Sequence, residues 1–82
     1  MERIFIKHLK KQLQKRIKGD IRVYSTDDVL NIVIQIQGLC MWYYTINNIA
    51  VQMSAGLSSR IVADVIVKQF KKYILSQYFN TK

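Results

Sequence analysis

The chain of 82 residues contains no proline, three glycines, one cysteine, one histidine and only five acidic residues. Each shortage removes a class of reading. With Gly19, Gly38 and Gly56 as the few sites for sharp turns, the sequence divides into a small number of long segments and not into a loop-rich fold. The lone Cys40 has no partner for an intrachain disulfide and sits in an apolar run, where a small buried hydrophobe is expected. His8 is equally isolated, so no metal site is expected, and no cofactor. Among the acids, Asp27 and Asp28 are adjacent but look like a turn, Ser58 and Ser59 look like a helix cap, and no glycine-rich phosphate loop exists; a non-enzymatic protein is expected. Asn31, Gln35 and Gln37 interrupt the most apolar region, which excludes a membrane span of roughly 18 apolar residues. Positive charge at the N-terminus is followed by no apolar block, so a secretory signal is not expected and a cytoplasmic protein is.

What is abundant is basic charge, and its distribution is uneven. Residues 1–18 carry +6, residues 19–57 carry −2 and residues 58–82 carry +4, giving a net charge of +8. Half of the residues are hydrophobic, too many for a disordered basic arm, so a single folded domain spanning 1–82 is expected.

Between Glu2 and Lys18, Phe5, Leu9, Leu13 and Ile17 recur every four positions with Ile6 beside them, which predicts a helix; Arg3, Lys7, Lys10, Lys11, Lys15 and Lys18 form its other face. Gly19 is placed to end it in a left-handed cap. Alternation from Asp20 to Ser25 predicts a strand, Thr26 to Asp28 a turn, and Leu30, Ile32, Ile34 and Ile36 the inward face of a central strand. After a turn at Gly38, Leu39 to Ile46 reads as a third strand with Cys40, Trp42, Tyr44 and Ile46 inward. Asn47 and Asn48 read as caps for a short helix containing Ile49, Ala50 and Met53 before Gly56. Ser58 then caps a long helix from about Ser59 to Phe79, buried through Val62, Ala63, Ile66, Val67, Phe70, Ile74 and Tyr78. Its opposite stripe is read as Arg60, Asp64, Lys68, Lys71 and Lys72, with Asp64 spaced to pair with Arg60 or Lys68. The expected fold is α+β: a three-stranded antiparallel sheet with two long helices packed on one face, in the order α-β-β-β-α-α.

This order resembles that of double-stranded RNA-binding domains. The likeness is one of topology. Where those domains carry a lysine-rich helix start and a basic or histidine-containing loop, this chain reads Gly56-Leu57-Ser58-Ser59-Arg60 and Ser25-Thr26-Asp27-Asp28, and the acidic loop would repel a phosphate. The lysine-rich opening helix, the Trp42-Tyr43-Tyr44 run, and the ending from Gly56-Leu57-Ser58 through Phe70-Lys71-Lys72-Tyr73-Ile74-Leu75 to Tyr78-Phe79 resemble small accessory proteins encoded by phages or mobile elements of low-GC Gram-positive bacteria. The resemblance implies binding of nucleic acid during the phage cycle, or inhibition of a host defence complex in the manner of anti-CRISPR proteins.

Two surfaces are expected to bind. Lys7, Lys10, Lys11, Lys15, Lys68, Lys71 and Lys72 can neutralise the phosphates of a nucleic acid or nucleoprotein complex, against the plainer reading of two solvated helix faces. Arg22, Tyr24 and Tyr43 on the outer sheet face, or Tyr73 on the aromatic C-terminal helix, are the candidates for contact with a host protein, against the plainer reading of a wet sheet face and core aromatics. Tyr73 and Phe79, if exposed, would offer a patch for a homodimer.

Overall fold

A computed structural model describes residues 2–38 and 40–78. The element order is α1 (Glu2–Arg16), β1 (Asp20–Thr26), β2 (Val29–Ile36), β3 (Cys40–Ile46), α2 (Ile49–Ser54) and α3 (Ser59–Tyr78). The three strands form one antiparallel sheet in the order β1-β2-β3. This is the expected α+β fold, and the central strand is the one with the strictest alternation. Leu39, expected in the third strand, and Phe79, expected at the end of the long helix, lie outside the described residues, as does the burial of Tyr78.

Period-two alternation sends Leu30, Ile32 and Ile34 of β2 into the core, each fully buried, while Asn31, Val33 and Gln35 face the other way. Leu9, Leu13 and Ile17 descend from α1, and Val62, Ala63, Ile66, Val67 and Phe70 from α3, to cover that one sheet face. On β3 the inward residues are only half-buried, but Trp42 stacks on Tyr44 at a centroid distance of 5.4 Å and meets Phe70 edge-on at 5.5 Å. These contacts seat α3 over the β3 side of the sheet, while α1 packs against β1 and α3.

The two long helices run in the same sense. α1 ends beside the start of β1 and the end of β2, whereas α3 begins at the opposite end of the sheet and runs back, so that Ile17 of α1 and Phe70 and Ile74 of α3 flank a common groove over Ile36.

Three local expectations need correction. Gly19 does not cap α1 in the left-handed region: α1 ends at Arg16, Ile17 closes the last turn by donating to the Leu13 carbonyl at 2.9 Å, and Gly19 is not among the positive-φ residues. A Cβ at position 19 would stand 2.9 Å from the Gln35 carbonyl oxygen, so the glycine is needed because β2 passes against it. Nor does an asparagine side chain cap α2. Asn48 occupies the N-cap position with φ 54° and makes no side-chain cap hydrogen bond. The Ala50 N–H instead donates to Asp28 Oδ1 at 2.8 Å and the Ile49 N–H to the Asp28 carbonyl at 3.1 Å. Asp27 and Asp28, at φ 52° and 63°, form the two-residue turn between β1 and β2 in the doubly left-handed geometry that suits the twist of a hairpin. Asp28 thus serves both the hairpin and the helix that follows β3. The third correction concerns Asp64, which pairs with Arg16 on α1 and not with its own helix.

The remaining ends form as the residue types suggest. Gly56, at φ 94°, donates to the Met53 carbonyl while Leu57 donates to that of Gln52, a Schellman closure of α2. Ser58 Oγ accepts the Arg60 N–H at 3.2 Å and starts α3.

Candidate binding surfaces

With the apolar stripes of α1 and α3 turned to the sheet, the residues opposite them face solvent, and these are mainly lysine. A helix advances about 100° per residue, so Lys7, Lys11 and Lys15 form one row on the outside of α1, opposite Leu9 and Leu13. Lys68 and Lys72 form a second row on α3, and all five are exposed. Because the helices run in the same sense, the end of α1 neighbours the middle of α3, from Asp64, which Arg16 engages, to Phe70 and Lys71, and the two rows stand on adjacent elements of one layer.

Lys71 and Lys10 are set differently. Lys71 is turned toward the seam between the helices and lines the same groove as Arg16 and Lys18. Lys10 lies about 100° round from the α1 row, on the flank away from Arg16 and therefore away from α3. Six of the seven expected lysines thus sit on the outer surface or seam of the helix layer, and one sits on its margin.

Carboxylates are sparse there. Asp27 and Asp28 lie in the hairpin turn at the other end of the sheet, and Asp20 lines a hollow of the outer sheet face with Arg22 and Tyr24. Asp64 is on α3 within the layer, but it is engaged by Arg16 in the sole ion pair among the described residues. That exposed pair is worth no more than about 1 kcal/mol. Its consequence is geometric: it spans α1 and α3 and holds the Asp64 carboxylate against a guanidinium.

The outer stripe of α3 is less uniformly basic than its charges suggested. Ile61, Val65 and Leu75 are exposed at 58%, 40% and 55%, and Val51 of α2 at 68%. The N-terminal half of α3 therefore shows apolar side chains at Ile61 and Val65, while Lys68, Lys71 and Lys72 lie further along the helix with Leu75 beyond them.

On the opposite side of the molecule, no element among the described residues covers the outer sheet face. Arg22, Val33 and Tyr43 lie in register across the three strands, with Tyr24 two residues along β1 from Arg22. Tyr24 and Tyr43 are 48% and 64% exposed. Tyr73 lies half-buried round the β3 edge, in a hollow that it shares with Tyr43 as well as Trp42, Tyr44, Gln69 and Lys72. Formal charge on this face is balanced, Asp20 against Arg22, whereas the helix layer is strongly positive.

Among the described residues no group of three His, Cys, Asp or Glu side chains is placed to hold a metal ion, and no helix is long and apolar enough to cross a membrane. No protein-family model, characterised protein or solved structure matches this chain, so its function has to be read from these surfaces.

Proposed function

We propose that the protein is a small non-catalytic module that binds nucleic acid, or a nucleoprotein complex, across its helix layer. The observation that carries the reading is the pair of lysine rows on neighbouring, similarly directed helices, Lys7, Lys11 and Lys15 on one and Lys68 and Lys72 on the other, with Lys71 in the seam and Lys10 at the edge. Rigid helices hold these ammonium groups at spacings set by the backbone, so few degrees of freedom are lost when they meet an extended polyanion. Binding would proceed by phosphate neutralisation and release of condensed counterions. Contacts of this kind go to phosphates, so discrimination between sequences would be poor.

The accompanying biological proposal is a phage-encoded accessory protein acting in the cytoplasm of its bacterial host. It follows from the resemblance of the lysine-rich opening helix and aromatic ending to such proteins.

Titration of fluorescently labelled duplex DNA, single-stranded DNA and RNA at low and moderate salt tests the proposal. Engagement of four to seven lysines on a duplex gives a slope of log affinity against log salt between about −4 and −6, so a fourfold rise in salt should lower affinity by roughly 10² to 10⁴. Absence of binding at low salt would remove the proposal.

A second reading has its own observation in the uncovered sheet face, where Arg22, Tyr24 and Tyr43 stand together and exposed. This reading is a protein-protein inhibitor, of an anti-defence kind, docking a host protein there. A pull-down from host lysate separates the two readings: a partner retained after nuclease treatment, and lost in Tyr24→Ala or Tyr43→Ala, favours the sheet face.

A further inference from the structure

At the end of the molecule where α1 stops and β1 begins, an open groove of about 470 Å³ lies between the end of α1 and α3. Ile17, Ile36, Ile74 and Leu75 supply its walls, above the buried ring of Phe70. Lys18 and Lys71 stand on its rim, and Arg16 is beside them with Asp64 already in its grasp. Leu75 is 55% exposed in this position.

From this combination we infer that the groove is a docking site for a short acidic segment of a partner protein, one that inserts a large apolar side chain and flanks it with carboxylates. Three features of the groove select that chemistry. First, its volume lies within the range of ligand clefts, ~300–1,000 Å³, and its walls are branched aliphatic, which favours a hydrocarbon anchor. Second, those walls present no side-chain acceptor and no exposed aromatic face. A nucleobase placed here would find only the rim cations as partners for its polar edges, no acceptor for its amino groups, and no exposed ring to stack on. Third, the rim is cationic in a chain of net charge +8, so a second copy of the protein would bring like charge to like, whereas an acidic segment is attracted. An anchor residue with carboxylates on either side satisfies floor and rim together.

The inference does not depend on nucleic-acid binding: the groove walls are distinct from the lysine rows, and only Lys71 on the rim is common to both surfaces. It adds a site through which a module gripping a polyanion could also hold a protein.

The test uses protein with isotopically labelled Ile and Leu methyl groups and three fluorescein-labelled peptides. One alternates Asp and Glu with Leu and Phe, one has serine in place of the apolar residues, and one has lysine in place of the acids. The acidic apolar peptide is expected to bind at least tenfold more tightly than either control and to shift the methyl resonances of Ile17, Ile36 and Ile74. Leu75→Gln, at an exposed position that should fold normally, is expected to weaken the peptide at least fivefold while leaving oligonucleotide affinity within about twofold. Equal binding of the acidic apolar and serine peptides would overturn the inference, as would unmoved groove methyls. So would larger shifts of the same methyls with decanoate or with an oligonucleotide. Loss of oligonucleotide binding with peptide binding intact would instead count against the proposed function alone.

Discussion

Exchange of Lys15 and Lys68 together for glutamate is expected to weaken oligonucleotide binding by roughly a hundredfold and to flatten its salt dependence by about two in slope. Both residues are exposed, one on each helix of the layer, and neither touches the core, so the variant should fold as the parent does. The comparison that gives the result its meaning is a second variant of equal net charge, Arg22→Glu with Gln35→Glu and Gln37→Glu. Each set of substitutions removes four from the net charge of +8, but the second places the change on the outer sheet face and the turn that follows β2. If binding reflects only overall attraction to a basic protein, the two variants should lose affinity alike. If the helix layer makes the contacts, the sheet-face variant should lose only a few-fold. Fluorescence anisotropy on both variants at matched salt separates these outcomes.

The second large effect concerns the support beneath that layer. Leu13 is fully buried where α1 meets the sheet and α3. Leu13→Ala is expected to cost about 3–5 kcal/mol through lost burial and the cavity left behind. A domain of this size has roughly 4–12 kcal/mol in total, at ~0.05–0.15 kcal/mol per residue, so the variant should lie near its unfolding threshold. Trp42, packed against Tyr44 and Phe70, provides the fluorescence signal for denaturant unfolding. Nucleic-acid binding should fall in parallel, because α1 carries one of the two lysine rows. Leu13→Met should cost less than about 1.5 kcal/mol and retain binding. A loss below about 1 kcal/mol for Leu13→Ala would mean that α1 is not seated on this core.

Much of this architecture is written in local periodicity. The four-residue spacing of Phe5, Leu9, Leu13 and Ile17, the alternation of Leu30, Ile32 and Ile34, and the 62-63-66-67-70 pattern of α3 each mark a buried face, because burial is repeated at the period of the element. The antiparallel order followed from short connections at Asp27-Asp28 and Gly38. What could not be read locally are the contacts between residues distant in sequence. Asp28 looks like turn chemistry, and it is; its second role, capping α2, requires knowing that the hairpin turn arrives beside Ile49 and Ala50. Gly19 follows a helix as a cap glycine would, but the constraint on it comes from Gln35 of a neighbouring strand. Asp64 has basic residues at four-residue spacing on its own helix and pairs instead with Arg16, 48 positions earlier, because α1 lies alongside.

The binding surfaces divide in the same way. Charge and helical period identified the lysines, and the direction of the helices then brought the two rows onto neighbouring elements while leaving Lys10 aside. Tyr24 and Tyr43 share a sheet face, as alternation implies, and Tyr73 of α3 meets Tyr43 only round the β3 edge, a proximity that no local pattern shows. The groove has no sequence signature, since its walls come from the end of α1, β2 and α3, and Ile17, Ile36 and Ile74 each read as ordinary core.

The most direct test of the account is to map which amides and lysine side chains respond when a short duplex and a single-stranded oligonucleotide are titrated into isotopically labelled protein at low salt. The account expects the largest perturbations along Lys7, Lys11 and Lys15 of α1 and Lys68, Lys71 and Lys72 of α3, with the strands of the outer sheet face unchanged. Perturbations centred on Arg22, Tyr24 and Tyr43, or spread evenly over every basic residue, would contradict it.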